Sequence, residues 1–384
     1  MRQKYLMAIA LISIGFCSIA QNDYLNAQAE DTEKLYQGGK PYRVKMYPQK
    51  FKSEKPKNII LLIGDGMGVT EVFSGLTANR GSLFIENCRY IGFSKTQSAD
   101  NYITDSAAGG TALSSGVKTY NGAIGVDTDT AAVKTILEAA EDNGLATGLV
   151  STSAITHATP ASFIAHQPNR NMYEAIAADF LETDIDVFIG GGINHFSKRR
   201  DGRNLLNDLQ DKGYTVEVDL DKIAKIKQGK LAGLTAAEHT DRIDGRSNML
   251  PVATKTALNI LDDNNKGFFL MVEGSQIDWG GHASSTVYIV EEMLDFDQTI
   301  GVALEFAAKD GETLVLVTAD HETGGMALTG GDMSTGMVRA EYPTTDHTAV
   351  MVPVFAYGPG AEEFIGIMEN TDIHDKMKKL LLGK

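Results

Sequence analysis

The chain has 384 residues, 43% of them hydrophobic, and a formal net charge of −15 at pH 7. That length and composition suffice for one large core and predict a single large domain. The acidic balance excludes nucleic-acid or anionic-membrane binding through a basic surface, so an anionic ligand would need a local cationic site.

In chain order, Arg2 and Lys4 precede an apolar run from Leu6 to Ile19 that ends in small residues, the layout of a secretory signal over residues 1–20. The run falls short of the roughly 20 residues that span a bilayer, so cleavage is expected, after Ala20 or after the second small-residue option Ala27-Gln28-Ala29. The mature protein is then exported, periplasmic or otherwise extracytoplasmic, with no membrane span. Cys17 could suggest a lipid anchor, but the bulky Phe16 before it fits such a site poorly. Loss of Arg2 and Lys4 takes the charge from −15 to −17, and Cys88 is left without a disulfide partner.

Residues 21–57 are polar and broken by Gly38, Gly39, Pro41, Pro48 and Pro56, and read as an N-terminal arm. From Asn58 onward short apolar runs recur: Ile59 to Ile63, Ala146 to Val150, Val187 to Ile189, Phe268 to Val272, Leu314 to Val317 and Val352 to Ala356. Such runs suit strands buried on both faces. Helical patterns lie between them, including Ala131 to Asn143 closed by Gly144, and Val287 to Ala308 ended by Lys309-Asp310-Gly311. The alternation predicts an α/β fold, a three-layer α/β/α sandwich around a mostly parallel sheet, with ligands beyond the carboxyl ends of the strands. The more charged stretch 194–248 reads as a surface insertion, with a helical piece near Leu205 to Lys212 and a short strand near Tyr214 to Val218.

The polar residues at those strand ends carry the chemistry. Asp65 follows the first strand inside Gly64-Asp65-Gly66-Met67-Gly68, either a turn aspartate or a metal ligand. Thr104-Asp105-Ser106-Ala107-Ala108-Gly109-Gly110-Thr111 sets Ser106 at the start of a helix, where free N–H groups favour a phosphate. Ser106 is there an N-cap or a nucleophile, and no G-x-S-x-G setting supplies a histidine to activate it, which leaves metal activation. Glu273 ends the run Phe268 to Val272, with Asp278 and His282 four residues apart beyond it. Asp320 and His321 follow Leu314 to Val317, and His347 precedes the strand Val352 to Ala356. Three histidines and four carboxylates at matching strand ends suit mixed nitrogen and oxygen ligation of zinc, plus a harder oxygen site for magnesium.

Taken together, Asp65, Asp105-Ser106-Ala107, Gly116-Val117-Lys118-Thr119-Tyr120-Asn121-Gly122, Val272-Glu273-Gly274, Thr318-Ala319-Asp320-His321, His347-Thr348 and Phe355-Ala356-Tyr357-Gly358-Pro359-Gly360 resemble the alkaline phosphatase family in order and spacing, from about Asn58 to the C-terminal region. The resemblance implies phosphomonoester hydrolysis through a phosphoserine at a site with two zinc ions and one magnesium ion. Asp278, His282 and His347 would hold the first zinc, and Asp320 and His321 the second. Asp65 would bridge the second zinc and the magnesium, whose shell Glu273 and Thr159 complete. Ser106 would be the nucleophile and Arg170 the phosphate clamp. Two positions depart from the best-known bacterial members, with His157 in place of an aspartate near the magnesium and Trp279 in place of a lysine that contacts phosphate through water. Twenty-five residues separate His321 from His347, so the raised crown at the dimer interface of some relatives should be small. A homodimer is the family default.

Two other readings compete. A related metal phosphodiesterase or sulfatase-like hydrolase would carry threonine or a modified cysteine where Asp105-Ser106-Ala107 stands. A non-catalytic phosphate- or zinc-binding protein of the cell envelope would not need an activated nucleophile.

Overall fold

The computed structural model describes residues 31–383. Both proposed cleavage points, and Cys17, lie outside them. A ten-stranded sheet forms the middle layer. In chain order its strands are β1 (Asn58–Gly64), β2 (Tyr90–Lys95), β3 (Ala146–Ala154), β4 (Val187–Gly191), β5 (Thr215–Glu217), β6 (Leu231–Leu234), β7 (Phe268–Gly274), β8 (Thr313–Thr318), β9 (Val352–Tyr357) and β10 (Gly366–Glu369). In space they run β10-β2-β9-β8-β1-β7-β3-β4-β6-β5. β9 is antiparallel to both of its neighbours, β8 and β2, while all the other pairings are parallel.

All seven residues of β1 are buried, because helices cover both faces of the sheet. Ile60 and Leu62 point into one core, with side chains from α4 (Met249–Leu261) and α6 (Thr286–Asp310). Ile59, Leu61 and Ile63 point into the other, with α2 (Ser106–Ser115), α3 (Ile136–Asp142) and α7 (Asn370–Leu382). The period-2 alternation of a strand divides one continuous apolar run between two layers.

The six strands expected from apolar runs are present, each lengthened by one to four residues. α3 begins at Ile136 rather than Ala131, because Thr135 and Glu138 form a capping box: the Glu138 N–H donates to Thr135 Oγ1 (3.2 Å) and the Thr135 N–H to Glu138 Oε2 (2.8 Å). The segment 194–248, expected at the surface, also adds β5 and β6 to the sheet, with all four residues of β6 buried. In the arm, Leu35–Tyr36 pairs with the strand Met337–Glu341, and the Tyr42 hydroxyl donates to buried Asp297 on α6 (2.5 Å).

Candidate active site

The parallel strands deliver their chemistry to one edge. Asp65 follows β1, Glu273 is the penultimate residue of β7, and Asp320 and His321 follow β8. His347 comes just before β9, and because β9 runs the opposite way, its beginning lies at that same edge.

α2 starts at Ser106 and is buried along its whole length. Asp105 caps it, accepting from the Ala108 N–H (3.0 Å), and also accepts from Arg170 Nη1 (2.9 Å). One carboxylate thus fixes both the helix start and the guanidinium. Glycines let the helix lie close to its neighbours: a Cβ at Gly109 would sit 3.0 Å from Asp320 Cβ, and one at Gly110 3.0 Å from Ser162 Oγ. The Ser106 hydroxyl is 3.2 Å from His321 Nε2. A cavity of about 340 Å³ opens over it, lined among others by Asp105, Arg170, Asp278, His282 and His347.

Three groups at this edge of the sheet could each hold a metal ion: Asp278 with His282 and His347, which line the cavity, and, in buried positions, Asp65 with Asp320 and His321, and Asp65 with His157 and Glu273. Within each group the candidate ligand atoms lie within 4.8 Å of one another. Thr159 Oγ1 is 3.4 Å from Asp65 Oδ2, next to the third group. His282 Nδ1 lies 2.6 Å from the Thr345 carbonyl and His347 Nδ1 2.9 Å from the Thr104 carbonyl. A carbonyl can only accept, so each ring carries a proton on Nδ1 and turns Nε2, the nitrogen that a metal would take, toward Asp278 (3.3 and 3.6 Å).

The electrostatics favour cations. Asp65, Asp320, Glu273 and Asp278 are all buried. Burial, then the neighbouring carboxylates Asp320, Asp278 and Glu273, raise Asp65 well above the usual carboxylate range. Asp320 is pushed up by burial and then by Asp278 and Glu273. Burial raises Asp278 too, but His282 outweighs it and holds that carboxyl low. Burial keeps His157 and His321 neutral, the ligating form, with Arg170 pressing further on His157 and His347 on His321. Asp65 Oδ1, Asp320 Oδ2 and Glu273 Oε1 are buried without a hydrogen-bond partner. Buried acceptors of this kind cost about 1–3 kcal/mol each unless something binds them, so the donor set fits divalent cations.

A family model described as alkaline phosphatase matches residues 56–342. The chain belongs to the alkaline phosphatase family. It is 34% identical to alkaline phosphatase 3 of Bacillus subtilis (strain 168), over 98% of this chain and 97% of that protein. Against the alkaline phosphatase of Escherichia coli (strain K12) it is also 34% identical, over 86% and 87%. The solved alkaline phosphatase of the Antarctic bacterium TAB5 is 46% identical, with a TM-score of 0.82 over 85% of this chain and 98% of that one. The fold is therefore the expected α/β sandwich, and the enzyme is a metal-dependent phosphomonoester hydrolase.

All twelve candidate site residues of the sequence lie at this edge of the sheet, and the structure adds neighbours that sequence reasoning missed. Ser151, Ser153 and Ser275 donate to Glu273 Oε2 (2.6, 3.3 and 2.7 Å). Thr323 donates to Asp278 Oδ1 (2.5 Å). Asn121 joins the Asp105 N–H to the Ile103 carbonyl (3.2 and 3.0 Å), bracing the loop before Ser106. A run of serines at a strand end, Ser151-Thr152-Ser153, was a signal for the first of these. The ring of His239, whose centroid lies 4.9 Å from that of Trp279 and 5.4 Å from that of His157, had no such signal.

Proposed function

We propose that this alkaline phosphatase releases inorganic phosphate from phosphomonoesters through a phosphoseryl intermediate on Ser106, with two zinc ions and one magnesium ion resident in the pocket. The observation that carries the reading is the setting of Ser106, at a buried helix start, beside His321 and in one cavity with Arg170.

The substrate phosphate enters that cavity as a dianion. Arg170, steadied by Asp105, presents a planar fork to two of its oxygens, a match that lysine cannot make. The first N–H groups of α2 face the same anion and hold it in line with Ser106 Oγ. Attack by Ser106 forms the phosphoseryl group and expels the alcohol, and water then attacks the same phosphorus to free phosphate. Asp278, His282 and His347 would hold one zinc, Asp320 and His321 the other, with Asp65 shared, and Glu273 and Thr159 on the magnesium side. When bound, such ions stabilise the serine alkoxide and the leaving oxygen, and lower the pKa of water. Because the cations and Arg170 reverse the field locally, a strongly acidic chain can still take an anion.

His157 makes the third group mixed in nitrogen and oxygen. A variant of the TAB5 enzyme in which a histidine is replaced by aspartate has magnesium bound in its M3 site. That supports a third site whose metal preference depends on this kind of exchange. The N-terminal pattern supports export. No helix among the described residues is long and apolar enough to cross a membrane. A homodimer is supported by exposed Val69, Phe73 and Ile91 around one apolar groove.

Turnover of p-nitrophenyl phosphate and of its bis-ester, with and without chelator, tests the reading in wild type and Ser106→Ala. Chelator-sensitive monoesterase activity should fall about 10³-fold or more in Ser106→Ala. Dominant diester turnover, or full activity without the serine hydroxyl, would sink it.

A further inference from the structure

We propose that His239 is a positioning residue of the phosphate pocket, holding Trp279 and His157 edge-on to one another so that His157 stays against Arg170. The inference rests on the reading of Arg170 as the phosphate clamp.

His239 belongs to the 194–248 segment, far in sequence from every other residue of the site. Its ring centroid lies 4.9 Å from that of Trp279 and 5.4 Å from that of His157, with interplanar angles of 81° and 84°. His157 and Trp279 are themselves 6.2 Å apart at 88°. Three rings thus meet mutually near perpendicular, the arrangement in which the positive edge of one faces the negative face of another. Beyond them, His157 Nε2 is 3.3 Å from Arg170 Nη2. Displacing either neighbouring ring would free His157 to turn and leave the outer nitrogen of the guanidinium less well placed.

The segment that carries His239 is fixed on both sides. The Ala154 N–H, at the end of β3, donates to His239 Nδ1 (3.1 Å), so the neutral ring carries its proton on Nε2. Next to it, Thr240 Oγ1 donates to the Thr152 carbonyl (2.5 Å). Gln276, the first residue of α5 (Gln276–His282), donates from Nε2 to the Thr240 and Thr152 carbonyls, both at 3.0 Å. On the other flank, Glu238 meets His195 Nε2 (2.8 Å). Gly191 permits the close approach, since a Cβ there would fall 2.0 Å from the Glu238 carbonyl oxygen. A side chain anchored this firmly can set the angle of the rings that touch it.

Trp279 is the one tryptophan of the chain, so tryptophan emission comes from this ring alone. The test titrates inorganic phosphate into the holoenzyme, follows Trp279 emission, and measures KM and kcat for p-nitrophenyl phosphate. His239→Ala should raise both the half-saturating phosphate concentration and KM about tenfold, the scale of lost outer-shell partners, with kcat changed by less than about twofold. His239→Asn keeps an acceptor for the Ala154 N–H but has no ring, and should behave like alanine even if His239→Ala fails to fold. His239→Phe keeps the ring and should recover most of the phosphate affinity. The inference is overturned if the Ala and Asn variants bind phosphate and substrate like wild type, or if the Phe ring restores neither quantity. Arg170→Ala, run alongside, separates the two claims: unchanged phosphate affinity there overturns the clamp itself.

Discussion

Replacing Arg246 with methionine should cost the fold about 3–5 kcal/mol, the penalty for breaking a buried ion pair from one side. The Arg246 guanidinium lies between two acids of α6, with Nη2 donating to Glu292 Oε2 (2.5 Å) and Asp295 Oδ2 (2.8 Å) and Nη1 to Glu292 Oε1 (2.8 Å). All three side chains are at most 3% exposed, so water screens little of the interaction. Methionine fills much of the volume and leaves two uncompensated carboxylates. For a chain of this size the unfolding entropy is about 0.8 kcal/mol/K, which converts the loss into a Tm lower by about 4–6 °C. The pH dependence carries the sign. Burial already raises Asp295 to about 6 against the pull of Arg246, and without that pull it rises further. A carboxyl raised in the folded state contributes stability below its unfolded pKa and loses it as pH rises through the folded value. The deficit should therefore be largest at about pH 8–9 and shrink toward about pH 5. Thermal unfolding of wild type and variant holoenzyme across that range measures it. A Tm loss under about 1 °C at alkaline pH, or a deficit that grows on acidification, would refute the reasoning.

Asp297→Ala should destabilise by about 2–4 kcal/mol and speed proteolysis of the arm, because Asp297 accepts from the Tyr42 hydroxyl and from the Phe84 and Ile85 N–H groups (2.8 and 3.0 Å). Urea unfolding and limited proteolysis read both. Glu71 is raised to about 8 by burial and then by Glu322, so wild type should lose stability as pH rises from about 4.5 through 8. Glu71→Gln cannot ionise, so its Tm should fall less than that of wild type over the same range. His157→Asp makes the third metal group all-oxygen, and elemental analysis of the purified protein should show its magnesium content rise relative to zinc.

Most of the sheet was legible because a strand buried on both faces has a simple signature. Six runs of Ile, Val, Leu and Phe announced six strands, and their ends located the chemistry. β2 escaped because Tyr90, Ile91 and Phe93 are apolar yet exposed while the buried positions between and after them are Gly92 and Ser94, which inverts the expected apolar-in pattern. β6, Leu231–Leu234, was hidden in a charged stretch and is too short to stand out, yet it is fully buried between β4 and β5. The onset of α3 was misplaced because periodicity alone cannot weigh a cap, although Thr135 and Glu138 were there to be read.

The residues of the site divide on the same physical line. Asp65, Glu273, Asp320 and His321 stand directly at strand ends, where local sequence fixes location, and motif spacing was enough to group them. His347 was harder, since it precedes its strand, and only the reversal of β9 brings it to the carboxyl edge. His239 lay beyond reach altogether. Its place depends on β4 and β6 lying side by side in the sheet, which carries the chain after β6 back over the end of β3. That contact is set by strand order, a property of the whole sheet that no window of neighbouring residues contains. The same argument explains why the departures at His157 and Trp279 belong with a third residue. The His157 and Trp279 rings stand edge-on to one another, and the 194–248 segment brings the His239 imidazole against both.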